Sequence, residues 1–89
     1  MSAWELQVAA SAERQLNRLS PRVAAAVVEF IVGPLLDDPN RMGRPLRREL
    51  AGYHSARRGA YRIVYRIDAE ARQVRVLRIE HRADVYRPR

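Results

Sequence analysis

Every basic side chain in this chain is an arginine: its 89 residues include 17 Arg and no Lys. That choice restricts the available chemistry. A guanidinium stays protonated at neutral pH, forks onto phosphate or carboxylate oxygens, and takes no proton from a substrate. The arginines are also unevenly spread. Residues 1–40 carry three Arg against five acids, net −2, whereas residues 41–89 carry fourteen Arg against five acids, net +9. Codon bias can replace Lys by Arg throughout, but it does not produce this asymmetry. A field so placed implies a polyanionic partner, either nucleic acid or an acidic protein segment.

Hairpin geometry places part of this charge. Tyr53 to Ile67 alternates as two strands around a Gly59-Ala60 turn, which sets Arg57 opposite Arg62 and Tyr53 opposite Arg66. Opposed residues share a face, so Tyr53, Arg57, Arg62 and Arg66 would lie together, with Ala56, Tyr61, Ile63 and Tyr65 turned to the core. Like charges directly opposite each other cost a few tenths to about 1 kcal/mol, a cost that an anion bound between them offsets. Arg66, Arg75 and Arg78 fit a solvated polar face equally well. His54 has the wrong parity for the arginine face and reads as a partly buried structural residue. His81 lies within Glu80-His81-Arg82, where the last strand ends, and precedes Tyr86. No His-x-His, His-x3-His or carboxylate cluster is present, and the four glycines are scattered, so neither a metal site nor a phosphate-binding glycine loop is expected.

The elements that position these residues follow from periodicity. Trp4 to Val8 alternates as a strand with Trp4, Leu6 and Val8 inward. Ser11 reads as the N-cap of a first helix with Glu13 in its first turn and Ala12, Leu16 and Leu19 on one face. Ser20-Pro21 starts a second helix, apolar on most sides and expected between the sheet and the first helix. Gly33-Pro34 should kink or end it, and Asp37-Asp38-Pro39 stops it. Residues 38–52 carry loop chemistry, anchored by Leu46 and Leu50. Val74 to Ile79 forms the last strand after a turn at Asp68 to Arg72. The expected fold is α+β: one domain over 1–89, β-α-α-β-β-β, an antiparallel sheet with two helices packed on one face. With 47% hydrophobic residues the composition is that of a folded domain, and the absence of Cys excludes disulfides and thiolate chemistry. The apolar stretch Val23–Leu36 is too short for a bilayer, and MSAWELQV lacks a basic, apolar leader, so neither a membrane nor secretion is expected.

The run Leu50-Ala-Gly-Tyr-His-Ser-Ala-Arg-Arg-Gly-Ala-Tyr-Arg-Ile-Val-Tyr65 resembles the signature hairpin of RelE toxins, of the RelE/ParE superfamily of type II toxin–antitoxin systems. His81-Arg-Ala-Asp-Val-Tyr-Arg87 is similar to the basic tail that ends many of them. The resemblance covers almost the whole chain, including the helical pair and Gly33-Pro-Leu-Leu36. It implies cleavage of mRNA in the ribosomal A site without metal or cofactor, in the cytoplasm. It also implies a cognate antitoxin, which binds operator DNA only together with the toxin. In the family pattern Arg57 takes the place of a basic residue on the first hairpin strand, Arg62 that of the Arg after the hairpin Tyr, and Arg82 and Tyr86 those of the tail's Arg and Tyr. Ser55 stands where a second basic residue often lies. Glu80 and Ala60 replace a common Gly and an acidic turn residue.

Such cleavage runs through attack of a 2′-hydroxyl on the adjacent phosphate and leaves a 2′,3′-cyclic phosphate and a 5′-hydroxyl. It requires a proton acceptor, a proton donor and cations. The resemblance assigns the electrostatic clamp to Arg57, Arg62 and Arg82. Proton transfer is left to Tyr86, His81 or Glu80, with Tyr86 first for orientation or acid–base work and His81 second. Arg47, Arg48, Arg58, Arg66, Arg78 and Arg87 are expected to contact RNA or ribosome. Two other classes share the fold: a ParE-like inhibitor of DNA gyrase without nuclease activity, and a binding module whose basic face grips antitoxin or nucleic acid.

Overall fold

The computed structural model describes residues 3–47 and 52–81. In chain order these form β1 (Glu5–Val8), α1 (Ala10–Arg18), α2 (Pro21–Phe30), a π-helical turn (Ile31–Leu35) and α3 (Pro39–Met42). Then come β2 (Arg44–Pro45), β3 (Tyr53–Arg58), β4 (Tyr61–Asp68) and β5 (Gln73–His81). The five strands make one sheet in the order β1-β5-β4-β3-β2. The β3–β4 register is the expected one, with Arg57 facing Arg62 and Tyr53 facing Arg66. Gly59 takes a φ of 61° in the turn, a conformation strained for any side-chain-bearing residue.

The α+β class and the element order are as expected, but the sheet is mixed: β1 joins β5 in parallel. The helical connection explains this. Helices carry the chain from β1 across the sheet to its far edge, and a strand that leaves through such a crossover can lie parallel to its neighbour. The β3-β4-β5 meander then returns beside it. Residues 38–52, read as loop, contain α3 and the two-residue edge strand β2 within the described part. Leu46 ties this segment down, its N–H donating to the Tyr53 carbonyl at 2.8 Å. Leu50 lies outside the described residues.

One helical layer covers one sheet face. Ala12 of α1 is fully buried, with Leu16 and Leu19 packed beside it. Val27, Ile31 and Leu35 recur every four residues and bury against Ile63, Tyr65, Val74, Val76 and Ile79. The opposite stripe of the second helix is open, with Val28 and Val32 exposed. That corrects the expected sandwiched placement, because among the described residues the helices form a single layer with its outer side open. At Pro34 the helix widens into the π-helical turn rather than ending. Proline donates no backbone hydrogen bond and its ring crowds the carbonyl four residues earlier, a conflict that the wider turn absorbs.

Ser11 is not the N-cap; Ala9 is, and Ser11 sits inside α1. Its hydroxyl has another task. The β4–β5 register slips between Val64 and Tyr65, whose partners are Arg78 and Val76, leaving Leu77 as the extra residue of a bulge. Ser11 Oγ donates to the Leu77 carbonyl at 2.7 Å, and the Ile79 N–H donates to Gln15 Oε1 at 2.7 Å. Two side chains one turn apart on α1 thus satisfy backbone groups around the bulge. The bulge switches parity, so that Val74, Val76 and Ile79 all face the core.

Tyr65 closes the other end of the core. It is fully buried, and its hydroxyl donates to the Pro39 carbonyl at 2.6 Å. Burial pushes its phenol up to about 12. His54 stacks on it with ring centroids 5.5 Å apart, and partial burial lowers the imidazole pKa below 6.5, in keeping with the structural role expected for this residue. Gly43 lies against the Tyr65 hydroxyl and the Ser55 carbonyl so closely that any Cβ would collide with both. Gly43→Ala is therefore expected to cost about 1–3 kcal/mol of stability by overpacking. Urea unfolding measures it, and Tyr65→Phe, which removes the colliding hydroxyl, should recover part of the loss.

Candidate functional site

The sheet face away from the helices is arranged in rows set by the strand registers. Arg57, Arg62 and Glu80 form the first row. Arg44, Ser55, Val64 and Arg78 form the second, and Tyr53, Arg66, Arg75 and Gln7 the third. Val64 is only 3% exposed although it lies on this outer face, so neighbouring side chains close over it. Long arginine stems can cover apolar surface while their heads stay in water.

The arginine pair is asymmetric. Arg57 is exposed, whereas Arg62 is half-buried and donates from Nη2 to Glu80 Oε1 at 2.9 Å. The second carboxylate oxygen of Glu80 stands 3.9 Å from Arg78 Nη1. Arg62 Nε is buried and has no hydrogen-bond partner among the described residues. Glu80 therefore tethers one edge of the Arg62 guanidinium and leaves the pair with one partly neutralised cation. The Glu80 carboxylate thus lies between two cations, Arg62 and Arg78.

The remaining candidates separate. His81 is opposite Tyr61 on the helix-facing side and meets its ring edge-on, with centroids 5.0 Å apart. It is turned away from the Arg57–Arg62 row. Arg58 is exposed on that same side, opposite Tyr61. Arg66 is exposed in the third row, where it faces Arg75 in a second like-charge pair, with Asp68 in the same recess. Arg78 lies in the second row, and Arg47 is exposed just beyond β2. Arg48, Arg82, Tyr86 and Arg87 lie outside the described residues. Among the described residues no group of three or more His, Cys, Asp or Glu side chains converges, and no helix is long and apolar enough to cross a membrane.

Sequence reasoning missed Arg44. It pairs with Ser55 across β2–β3 and borders a groove of about 570 Å³ with Arg57 and Arg62. A two-residue strand offers no alternation to read; the only signal was an Arg-Pro-Leu segment beside a glycine that must admit close packing.

Known proteins are similar to this chain in sequence and fold. A family model described as "ParE toxin of type II toxin-antitoxin system, parDE" matches residues 6–86. Toxin RelG of Mycobacterium tuberculosis is 55% identical over 84 residues, 94% of this chain and 97% of that protein. Toxin RelE of the same organism is 49% identical over 84 residues, 94% of this chain and 87% of that protein. The crystal structure of the toxin–antitoxin complex RelBE2 from M. tuberculosis superposes with a TM-score of 0.85 at 53% identity, covering 89% of this chain and 98% of that one. The intact E. coli RelBE complex, at 20% identity and a TM-score of 0.74 over 88% of this chain and 95% of that one, shares the fold.

The Glu80 tether makes a measurable difference to the basic face. Glu80→Gln removes a carboxylate that competes with incoming anions for Arg62 and Arg78. The variant should elute from heparin at higher salt than the wild type, with a salt-dependence slope steeper by about one.

Proposed function

The chain belongs to the RelE/ParE superfamily of type II toxins, and from that premise we propose that it is a metal-independent endoribonuclease that cleaves mRNA in the ribosomal A site. The observation that carries this reading is the Arg57–Arg62 pair, two permanent cations opposed on the sheet face away from the helices, beside a groove. A crowded phosphorane-like transition state is the kind of anion that makes such a pair favourable. The names of the 55% and 49% identical relatives support the same assignment.

In the proposed reaction the substrate's 2′-hydroxyl attacks the neighbouring phosphorus. The 5′-oxygen leaves as a hydroxyl, and a 2′,3′-cyclic phosphate remains on the other fragment. Arg57, Arg62 and Arg82 hold the phosphate oxygens and stabilise the added charge. None of them moves a proton. Tyr86 orients the nucleotide or transfers protons. The position of His81 on the helix-facing side favours Tyr86 over it for that work. Exposed Arg47, Arg58, Arg66 and Arg78, with Arg48 and Arg87, would contact RNA and ribosome. The reading places this activity in the cytoplasm, where ribosomes translate.

The toxin–antitoxin complex among the structural neighbours supports a cognate antitoxin as partner, and operator DNA would be bound only by the two together. A second reading is inhibition of DNA gyrase without RNA cleavage. It is favoured by the match to the ParE family model.

One experiment separates the readings: mapping RNA 5′ ends in translating ribosomes with and without the protein, beside a gyrase supercoiling assay. Cuts within codons of ribosome-bound message are expected, and Arg62→Ala should slow them by about 10²–10³, as for loss of one transition-state donor. Inhibited supercoiling without cuts would transfer the assignment to gyrase. Growth arrest that survives Arg62→Ala, Arg82→Ala and Tyr86→Phe combined would exclude the nuclease.

A further inference from the structure

We infer that the groove between β2 and the β3–β4 hairpin is a nucleotide subsite in which Arg44 joins Arg57 and Arg62 on phosphate while Met42 and Leu46 receive a base. The inference rests on the nuclease reading and adds to it a residue and a pocket beside the arginine pair.

Charge comes first. Arg44, Arg57 and Arg62 line the groove, and among the described residues no carboxylate does. Glu80 binds Arg62 from beside the groove and is not among its described lining residues, so Arg62 stands there as a partly neutralised cation next to Arg44 and Arg57. Arg44 faces Ser55 in register, and Ser55 is the small residue of its row. The short side chain leaves the space beside Arg57 and Arg62 to be reached by the longer Arg44 from the edge strand.

Shape and polarity come second. Part of the wall is apolar, built by Met42, Pro45 and Leu46, and Met42 remains 41% exposed. At about 570 Å³ the groove lies within the usual range of small-molecule sites. A purely anionic ligand has no use for an exposed thioether, and a purely apolar one has none for three guanidinium groups. A nucleotide has both parts: phosphate for the arginines and a flat base for the polarizable methionine. The wall is also held rigidly, because Gly43 packs against Tyr65 and the Leu46 N–H is bonded to Tyr53.

The test is an NMR titration of the purified chain with a 2′-O-methyl dinucleotide, which binds without being cleaved, beside inorganic phosphate. The dinucleotide should shift the Met42 methyl and the Arg44, Arg57 and Arg62 Nε–H signals together. Phosphate should shift the arginines and leave Met42 in place. Arg44→Ala should weaken the dinucleotide about tenfold and lower its salt slope by about one, and Met42→Ala should weaken the dinucleotide but not phosphate. Dinucleotide shifts at Arg57 and Arg62 that spare Arg44 and Met42 would overturn the subsite and leave the arginine pair standing. Absence of shifts at all three arginines would overturn the subsite, while the nuclease reading stands or falls on the cuts mapped in translating ribosomes.

Discussion

Arg57 and Arg62 face each other because a two-residue turn at Gly59 leaves the hairpin no other register, and neither side chain can shed its proton. The core enforces the arrangement. Sliding β3 by one residue would turn Ala56 and His54 outward and bring Arg57 against Ile63 and Tyr65, so apolar burial holds the two cations opposed. Burial of side chains such as Ile63 and Tyr65 contributes roughly 1.5–3 kcal/mol each, several times the few tenths to about 1 kcal/mol of cross-strand repulsion. The repulsion therefore persists in the folded state as a standing preference for an anion.

The rest of the molecule serves this face. The nearly neutral first forty residues supply the helical layer and β1, which bury the other side of the sheet. Glu80 moderates the field at its most crowded point by holding one edge of Arg62. The Leu77 bulge lets β5 keep Val74, Val76 and Ile79 inward while Arg75, Arg78 and Glu80 stay on the outer face, and Ser11 and Gln15 satisfy the backbone there. Structural and functional demands thus meet on β5, where a change in parity delivers the carboxylate to the arginine that needs it.

What could be read in the sequence followed from strict local rules. Alternation and a glycine turn are enough to give the β3–β4 register to the residue, and with it the shared face of Tyr53, Arg57, Arg62 and Arg66. The misplaced features depend on tertiary partners. Ser11 has the composition of a cap, yet its hydroxyl is taken by a carbonyl 66 positions away. The Leu77 bulge left a trace, since Val74, Val76 and Ile79 do not keep one parity, but a single strand does not reveal what absorbs the slip. Arg44 stayed hidden because an edge strand of two residues has no period. The Glu80–Arg62 pair became visible only once the β4–β5 register was known.

The central claim is that the opposed arginines form one anion-binding unit. A double-mutant cycle of Arg57→Ala and Arg62→Ala, measured by unfolding with and without a short 2′-O-methyl RNA, tests it most directly. Without RNA the coupling should be unfavourable, by a few tenths to about 1 kcal/mol, each arginine being easier to keep when the other is gone. With RNA the sign should reverse, each arginine gaining from the presence of the other. A coupling that is the same in both conditions would contradict the account.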